Sequence, residues 1–189
     1  MVHYKLSYFD VRGLGETARL ILTHANQPFD DERFTFETWP ANKSKMLYGK
    51  VPVLEVDGKP LAESFAIFRY LAKQYGLLGK DDWEQAKVDE FSNVHKDIAT
   101  EIGAYIRVYA GYGQGDKEQL YKDVFLPGMQ KYLPLYVKRS RNLVLALLPR
   151  VVLHGWTLSK QPELEQYIQR VHSQPTIKKY VEGRKHSVI

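Results

Sequence analysis

The chain contains no cysteine. Disulfides, thiolate metal ligands and a cysteine nucleophile are therefore excluded. That absence suits a reducing compartment, where disulfides do not persist. Long apolar runs are missing as well. The longest, Leu143 to Leu148, falls far short of the roughly 20 residues a membrane span needs. No charged-then-apolar signal precedes Tyr4, so the expected location is cytoplasmic, with no membrane partner. There is also no dense Lys/Arg run interleaved with aromatics. The net charge of +5 therefore reads as a solvated surface, and no nucleic-acid partner is expected. No metal is expected either. What is present is ordinary for a globular protein: 44% hydrophobic and 26% charged residues in a chain of 189. That length suffices for one large or two small cores.

The most informative stretch runs from Gly49 to Tyr75. Val53 to Val56 reads as a buried strand. Asp57-Gly58 supplies the positive φ values of a tight hairpin turn, and Lys59 to Leu61 returns as a second strand. Ser64 reads as an N-cap, with Phe65, Phe68, Leu71, Ala72 and Tyr75 at helical spacing behind it. The start of such a helix has unpaired N–H donors and a positive dipole end, which suits a carboxylate or phosphate. Pro52 belongs at a strand start or a bend, in a trans or a cis peptide. A cis bond there would leave the Val51 backbone open to an extended peptide ligand.

Before this stretch, Tyr4, Leu6 and Tyr8 alternate with polar residues over Val2 to Phe9, a strand pattern. Glu16 to Asn26 places Ala18, Ile21, Leu22 and Ala25 on one helical face, and Gln27-Pro28 stops it. Arg33 to Phe36 reads as a strand, and Trp39 to Lys45 as a loop or short helix. The first half is thus β-α-β followed by β-β-α, with a right-handed crossover. Tyr75 to Asp82 is a candidate linker. Beyond it, Val88, Phe91, His95, Ile98, Ile102, Tyr105 and Tyr109 predict one long amphipathic helix. Pro127-Gly128 should kink or break the helix begun at Leu120. Asn142 to Leu153 is apolar nearly all round, as in a central buried helix. Pro162 to Ser173 and a short segment opened by Pro175 complete an all-helical second half.

At Tyr8, Trp39-Pro40, Gly49-Lys50-Val51-Pro52, Glu63-Ser64 and Asp97 the sequence resembles the cytosolic glutathione transferases. It looks most like the sigma class, the haematopoietic prostaglandin D synthase-like group. Tyr8 to Gly13 (Tyr-Phe-x-x-Arg-Gly) and Val51 to Leu54 (Val-Pro-x-Leu) are specific jointly, and the resemblance covers nearly the whole chain. It implies an α/β thioredoxin-like N-terminal domain over residues 1–78 and an all-α C-terminal helical domain over residues 79–189. It also implies a homodimer, glutathione as co-substrate and hydrophobic electrophiles as acceptors.

The resemblance assigns roles residue by residue. Tyr8 matches the family's catalytic tyrosine, whose hydroxyl stabilises the glutathione thiolate, and Arg12 matches the arginine that polarises the site. Trp39 and Lys43 match the residues holding the glycyl carboxylate. Val51, between Lys50 and Pro52, matches the position that pairs with the cysteinyl backbone. Glu63 and Ser64 match the pair at the γ-glutamyl end. Glu63 departs from the sigma pattern, which has glutamine there; a carboxylate suits the ligand's ammonium and disfavours its carboxylate. Asp97 matches an aspartate that reaches a partner subunit's glutathione. Phe9, Leu14, Tyr105 and Tyr109 are candidate walls for the electrophile, whose identity (toxic electrophile, lipid peroxide or prostaglandin endoperoxide) stays open.

The same resemblance admits a binding protein for haem or other hydrophobic ligands, or a prostaglandin isomerase. One further departure is expected. Lys138 to Arg141 runs straight into Asn142-Leu143-Val144, where the family carries a turn and a Ser/Thr-x-x-Asp capping box. A deletion before the central helix of the second domain is therefore expected.

Overall fold

The computed structural model describes residues 2–139, 166 and 169–184. The expected deletion between Arg139 and Leu143 and the central helix from Asn142 to Leu153 lie outside the described residues. So does half of the expected helix from Pro162 to Ser173.

By their contacts the described residues form two units. One holds residues 2–78 and 171–184, the other residues 79–139, 166 and 169–170. The C-terminal segment thus packs with the first unit, whereas the sequence placed everything beyond residue 78 in the second. The cause is specific: the C-terminal helix carries Tyr180, and Arg184 follows it; both bond Glu16 of the first unit.

In the first unit β1 (Tyr4–Phe9), β2 (Phe29–Phe34), β3 (Val53–Val56) and β4 (Lys59–Ala62) form one sheet in the order β2-β1-β3-β4. β1 and β2 are parallel; the other two pairings are antiparallel. α1 (Glu16–His24) makes the crossover, α2 (Trp39–Asn42) precedes β3, and α3 (Ser64–Gln74) follows β4. β1 runs through the middle, and Tyr4, Leu6 and Tyr8 are buried as their alternation requires. β2 starts four residues earlier and ends two residues earlier than the apolar pattern suggested. Its sequence, FDDERF, has no apolar alternation because it is an edge strand held by charge. Lys5 Nζ stands 3.2 Å from Glu32, and Ser7 Oγ donates to Glu32 at 2.6 Å.

The second unit opens with α4 (Asp82–Glu101), whose N-cap Asp81 accepts from Glu84 N–H at 2.8 Å. Val88, Phe91, His95 and Ile98 are buried along one stripe. The expected single helix to Tyr109 is in fact two: the chain breaks at Ile102 and α5 runs Gly103–Tyr109. Gly103 is a weak helix former at the junction. Apolar periodicity survives the break, so spacing alone did not reveal it. α6 (Lys117–Leu120) leads through a π-helical turn, Tyr121–Phe125, into α7 (Leu126–Arg139). The helical run through Leu120 is thus interrupted immediately ahead of Pro127, whose ring nitrogen gives no N–H to the preceding turn. α8 (Pro175–Gly183) has proline in its first turn, as expected.

Candidate functional site

The sheet registers bring one group of residues together. Ser7 pairs with Val53, and Val53 with Ala62. The next residue on each strand is Tyr8, Pro52 and Glu63, so these three share one end of the sheet. Val51-Pro52 is a cis peptide. No backbone hydrogen bond among the described residues involves Val51.

Tyr8 is buried at the end of β1. Its hydroxyl accepts from the Leu14 N–H at 3.0 Å. The loop that provides this bond passes very close. A Cβ added at Gly13 would lie 2.5 Å from the Tyr8 hydroxyl, and one at Gly15 would lie 2.6 Å from the ring. Arg12 is buried in the same loop, and its carbonyl accepts from Glu16 N–H at 2.9 Å.

The Phe9 ring stands 5.8 Å from Tyr8 and 5.2 Å from Trp39. Trp39 opens α2, so the aromatic cluster carries it to the Tyr8 end of the sheet. Phe9, a candidate electrophile wall, packs on Trp39 and Phe36. Lys43 is exposed, with its side chain 3.7 Å from where a Cβ on Gly49 would stand. Lys50 is exposed too, in extended backbone leading to Val51.

Ser64 is the first residue of α3 and Glu63 is its N-cap, which corrects the expectation that Ser64 caps. Glu63 has φ 68° and ψ 110° and makes no side-chain cap bond. A non-glycine residue held there costs on the order of 1–3 kcal/mol. The first turn of α3 has N–H groups with no carbonyl of their own helix to bond, beside the positive end of the helix dipole. The arrangement thus combines a buried hydroxyl, an open backbone edge and a helix N-terminus, which together match a thiol, a peptide and a carboxylate.

Asp97, Tyr105 and Tyr109 belong to the other unit. Asp97 is exposed on α4, off the buried stripe. Tyr105 stacks with Tyr109 at 5.7 Å and packs on Phe125 at 4.6 Å. Sequence reasoning missed Gly13 and Gly15 as walls around Tyr8. It also missed Glu16 and Arg19, which are buried in α1. The available signal was the charge inside Thr17-Ala18-Arg19-Leu20-Ile21-Leu22, a run otherwise apolar enough for a helix buried all round. A separate open groove of about 1120 Å³ runs between α1 and α8 and shares no lining residue with the Tyr8–Ser64 group.

Comparison with known proteins follows the same outline. The glutathione S-transferase N-terminal domain matches residues 4–73. Probable glutathione S-transferase 7 of Caenorhabditis elegans is 41% identical over 201 residues, covering 97% of this chain and 98% of its own. That aligned length exceeds the 189 residues here, so the relative carries residues with no counterpart in this chain. The structure of a nu-class enzyme from Haemonchus contortus is 37% identical, with a TM-score of 0.83 and full coverage of both chains. A sigma-class enzyme of Fasciola hepatica is 27% identical, with a TM-score of 0.80 over 100% of this chain and 99% of that one. A hookworm enzyme described as monomeric, from Necator americanus, is 36% identical with a TM-score of 0.83 and 98% coverage of both chains. Identity at this level along nearly the full length of both chains, on a thioredoxin-like sheet joined to a helical half, means that this chain belongs to the glutathione S-transferase family.

Proposed function

We propose that this transferase conjugates reduced glutathione to hydrophobic electrophiles, with Tyr8 as the residue that holds the reacting sulfur as thiolate. The observation that carries the reading is the Leu14 N–H donating to the Tyr8 hydroxyl at the sheet end shared with Pro52 and Glu63. A free thiol has a pKa of about 8.5, so only a few per cent ionises at neutral pH. An O–H donor and a nearby guanidinium favour the charged form. Tyr8 supplies the first and Arg12 the second. The thiol proton leaves to solvent, the sulfur lone pair forms the new S–C bond, and the acceptor expels its leaving group or takes up the negative charge.

In this reading the glycyl carboxylate lies near Trp39 and Lys43, and the cysteinyl backbone pairs with Val51 between Lys50 and Pro52. The γ-glutamyl end meets Glu63 and the N-terminus of α3 at Ser64. Phe9 and Leu14 of the first unit serve as electrophile walls. The higher identity to the nu-class enzyme supports a place nearer that class than the sigma class expected from sequence. The working assembly is a homodimer in which Asp97 serves the partner's site. Tyr48, 74% exposed, is the aromatic we assign to the surface that a second copy covers. The cytoplasm is its location.

Steady-state conjugation of a chlorodinitrobenzene-type acceptor tests the reading. Turnover that depends on glutathione is expected. Glutathione binding without turnover would instead identify a hydrophobic-ligand carrier, haem included.

A further inference from the structure

Arg19 is fully buried in α1, and Glu16, one turn before it, is 1% exposed. A buried guanidinium persists only where acceptors match its donors. Arg19 Nε lies 3.1 Å from each carboxylate oxygen of Asp31. Its Nη1 donates to the Val11 carbonyl at 2.8 Å, and its Nη2 to the Phe9 carbonyl at 3.3 Å. Nη1 also stands 3.6 Å from Glu16.

Phe9 and Val11 bracket Asp10, whose N–H donates to the Phe34 carbonyl at 2.9 Å. The Asp10 carboxylate accepts from Arg33 at 2.9 Å. The three residues between Tyr8 and Arg12 are thus held at two carbonyls, one N–H and one side chain. The Arg19 guanidinium itself lies 5.8 Å from the centre of the Tyr8 ring. Glu16 carries the network onward to α8. It accepts from the Tyr180 hydroxyl at 3.1 Å, 164 residues away in the chain, and pairs with Arg184. Burial and the Glu16 charge both push the Tyr180 hydroxyl pKa up, so it stays a proton donor throughout the neutral range.

We propose that Arg19 is a positioning residue for the reaction site, and that α8 sets its hold through Tyr180, Arg184 and Glu16. This rests on the transferase reading above. A fixed carbonyl pair beside Tyr8 and Arg12 keeps their donors aimed at one point, and small misplacements of reacting groups are expensive in rate.

The test uses the full chain carrying Tyr180→Phe, Arg184→Met or Arg19→Lys. The first two leave the buried Arg19 in place, so they carry the test if Arg19→Lys does not fold. Circular dichroism checks folding. Conjugation kinetics and the ultraviolet band of bound glutathione thiolate against pH report on the site. The charges that face this loop are Arg12, Arg19, Arg33, Asp10, Asp31 and Glu16. In folded variants the glutathione KM should hold, kcat should fall by a few-fold to about 10²-fold, and the thiolate midpoint should rise. Folded variants with wild-type kcat and midpoint would overturn the positioning role alone. A wild-type chain that forms no conjugate would overturn the transferase reading and this proposal with it.

Discussion

The backbone N–H of Leu14 donates to the Tyr8 hydroxyl over 3.0 Å, so the loop after β1 folds back on the end of its own strand. The hydroxyl is thereby oriented as well as buried. Tyr8→Phe removes one oxygen and should lower kcat roughly 10²-fold or more, the usual loss for one preorganised donor. The glutathione KM should change little, and stability by only about 1 kcal/mol. Steady-state kinetics with a chlorodinitrobenzene-type acceptor checks this; an unaltered kcat would remove Tyr8 from the chemistry.

Gly15 makes a sharper test of the same site. Its backbone angles, φ −79° and ψ −25°, suit any residue. The obstacle is Tyr8, whose Cδ1 and Cβ would lie 2.6 and 3.1 Å from a new Cβ. Gly15→Ala should therefore displace the ring, costing about 1–3 kcal/mol of stability and most of the activity. Thermal melting and kcat measured together check it, and an Ala variant with full activity contradicts the packing described here.

Glu63 predicts effects of opposite sign. Glu63→Gly relieves the φ 68° backbone and should raise stability by about 1 kcal/mol. It also deletes the carboxylate proposed to meet the ligand's ammonium, so the glutathione KM should rise. A melting curve and a KM titration on one sample separate the two. A KM that stays put would mean that Glu63 does not touch glutathione.

His95 is fully buried in α4, and burial lowers its pKa to about 4. Its folded-state pKa thus lies below the value of about 6.5 expected when unfolded. Between pH 6.5 and 4 the unfolded chain binds the extra proton, so stability is full above pH 6.5 and falls as pH drops toward 4. The loss should approach about 3 kcal/mol at the acid end. Denaturant melts at stepped pH check this, with His95→Leu expected to flatten the slope. A variant with the same slope as wild type would assign the acid sensitivity elsewhere.

Tyr48 is 74% exposed and sits at φ 58°. If a second copy covers it, Tyr48→Ala should weaken dimerisation by about 2 kcal/mol or more, as for a buried aromatic anchor. Light scattering over a concentration series checks this. A wild-type chain that stays monomeric at micromolar concentration would end the dimer proposal.

Much of this protein was determined by local sequence. The Asp57-Gly58 hairpin, the alternation of Tyr4, Leu6 and Tyr8 and the helical spacing behind Ser64 each act over a few residues, and each appears as expected. The family resemblance pointed to Tyr8, Val51, Pro52, Glu63 and Ser64, and turn chemistry and strand register carry Tyr8, Pro52 and Glu63 to one end of the sheet. Other features required the tertiary structure. β2 is held by ion pairs with β1 and α1 rather than by an apolar stripe, so its position does not show in hydrophobic periodicity. The break at Ile102 is invisible for the converse reason: the stripe continues across it. The bond from Tyr180 to Glu16 spans 164 residues, and no local pattern encodes a partner that distant. Buried charge can only be placed once the groups that satisfy it are in position, so Arg19 and Glu16 acquire their roles only when α1, β1, β2 and α8 have come together.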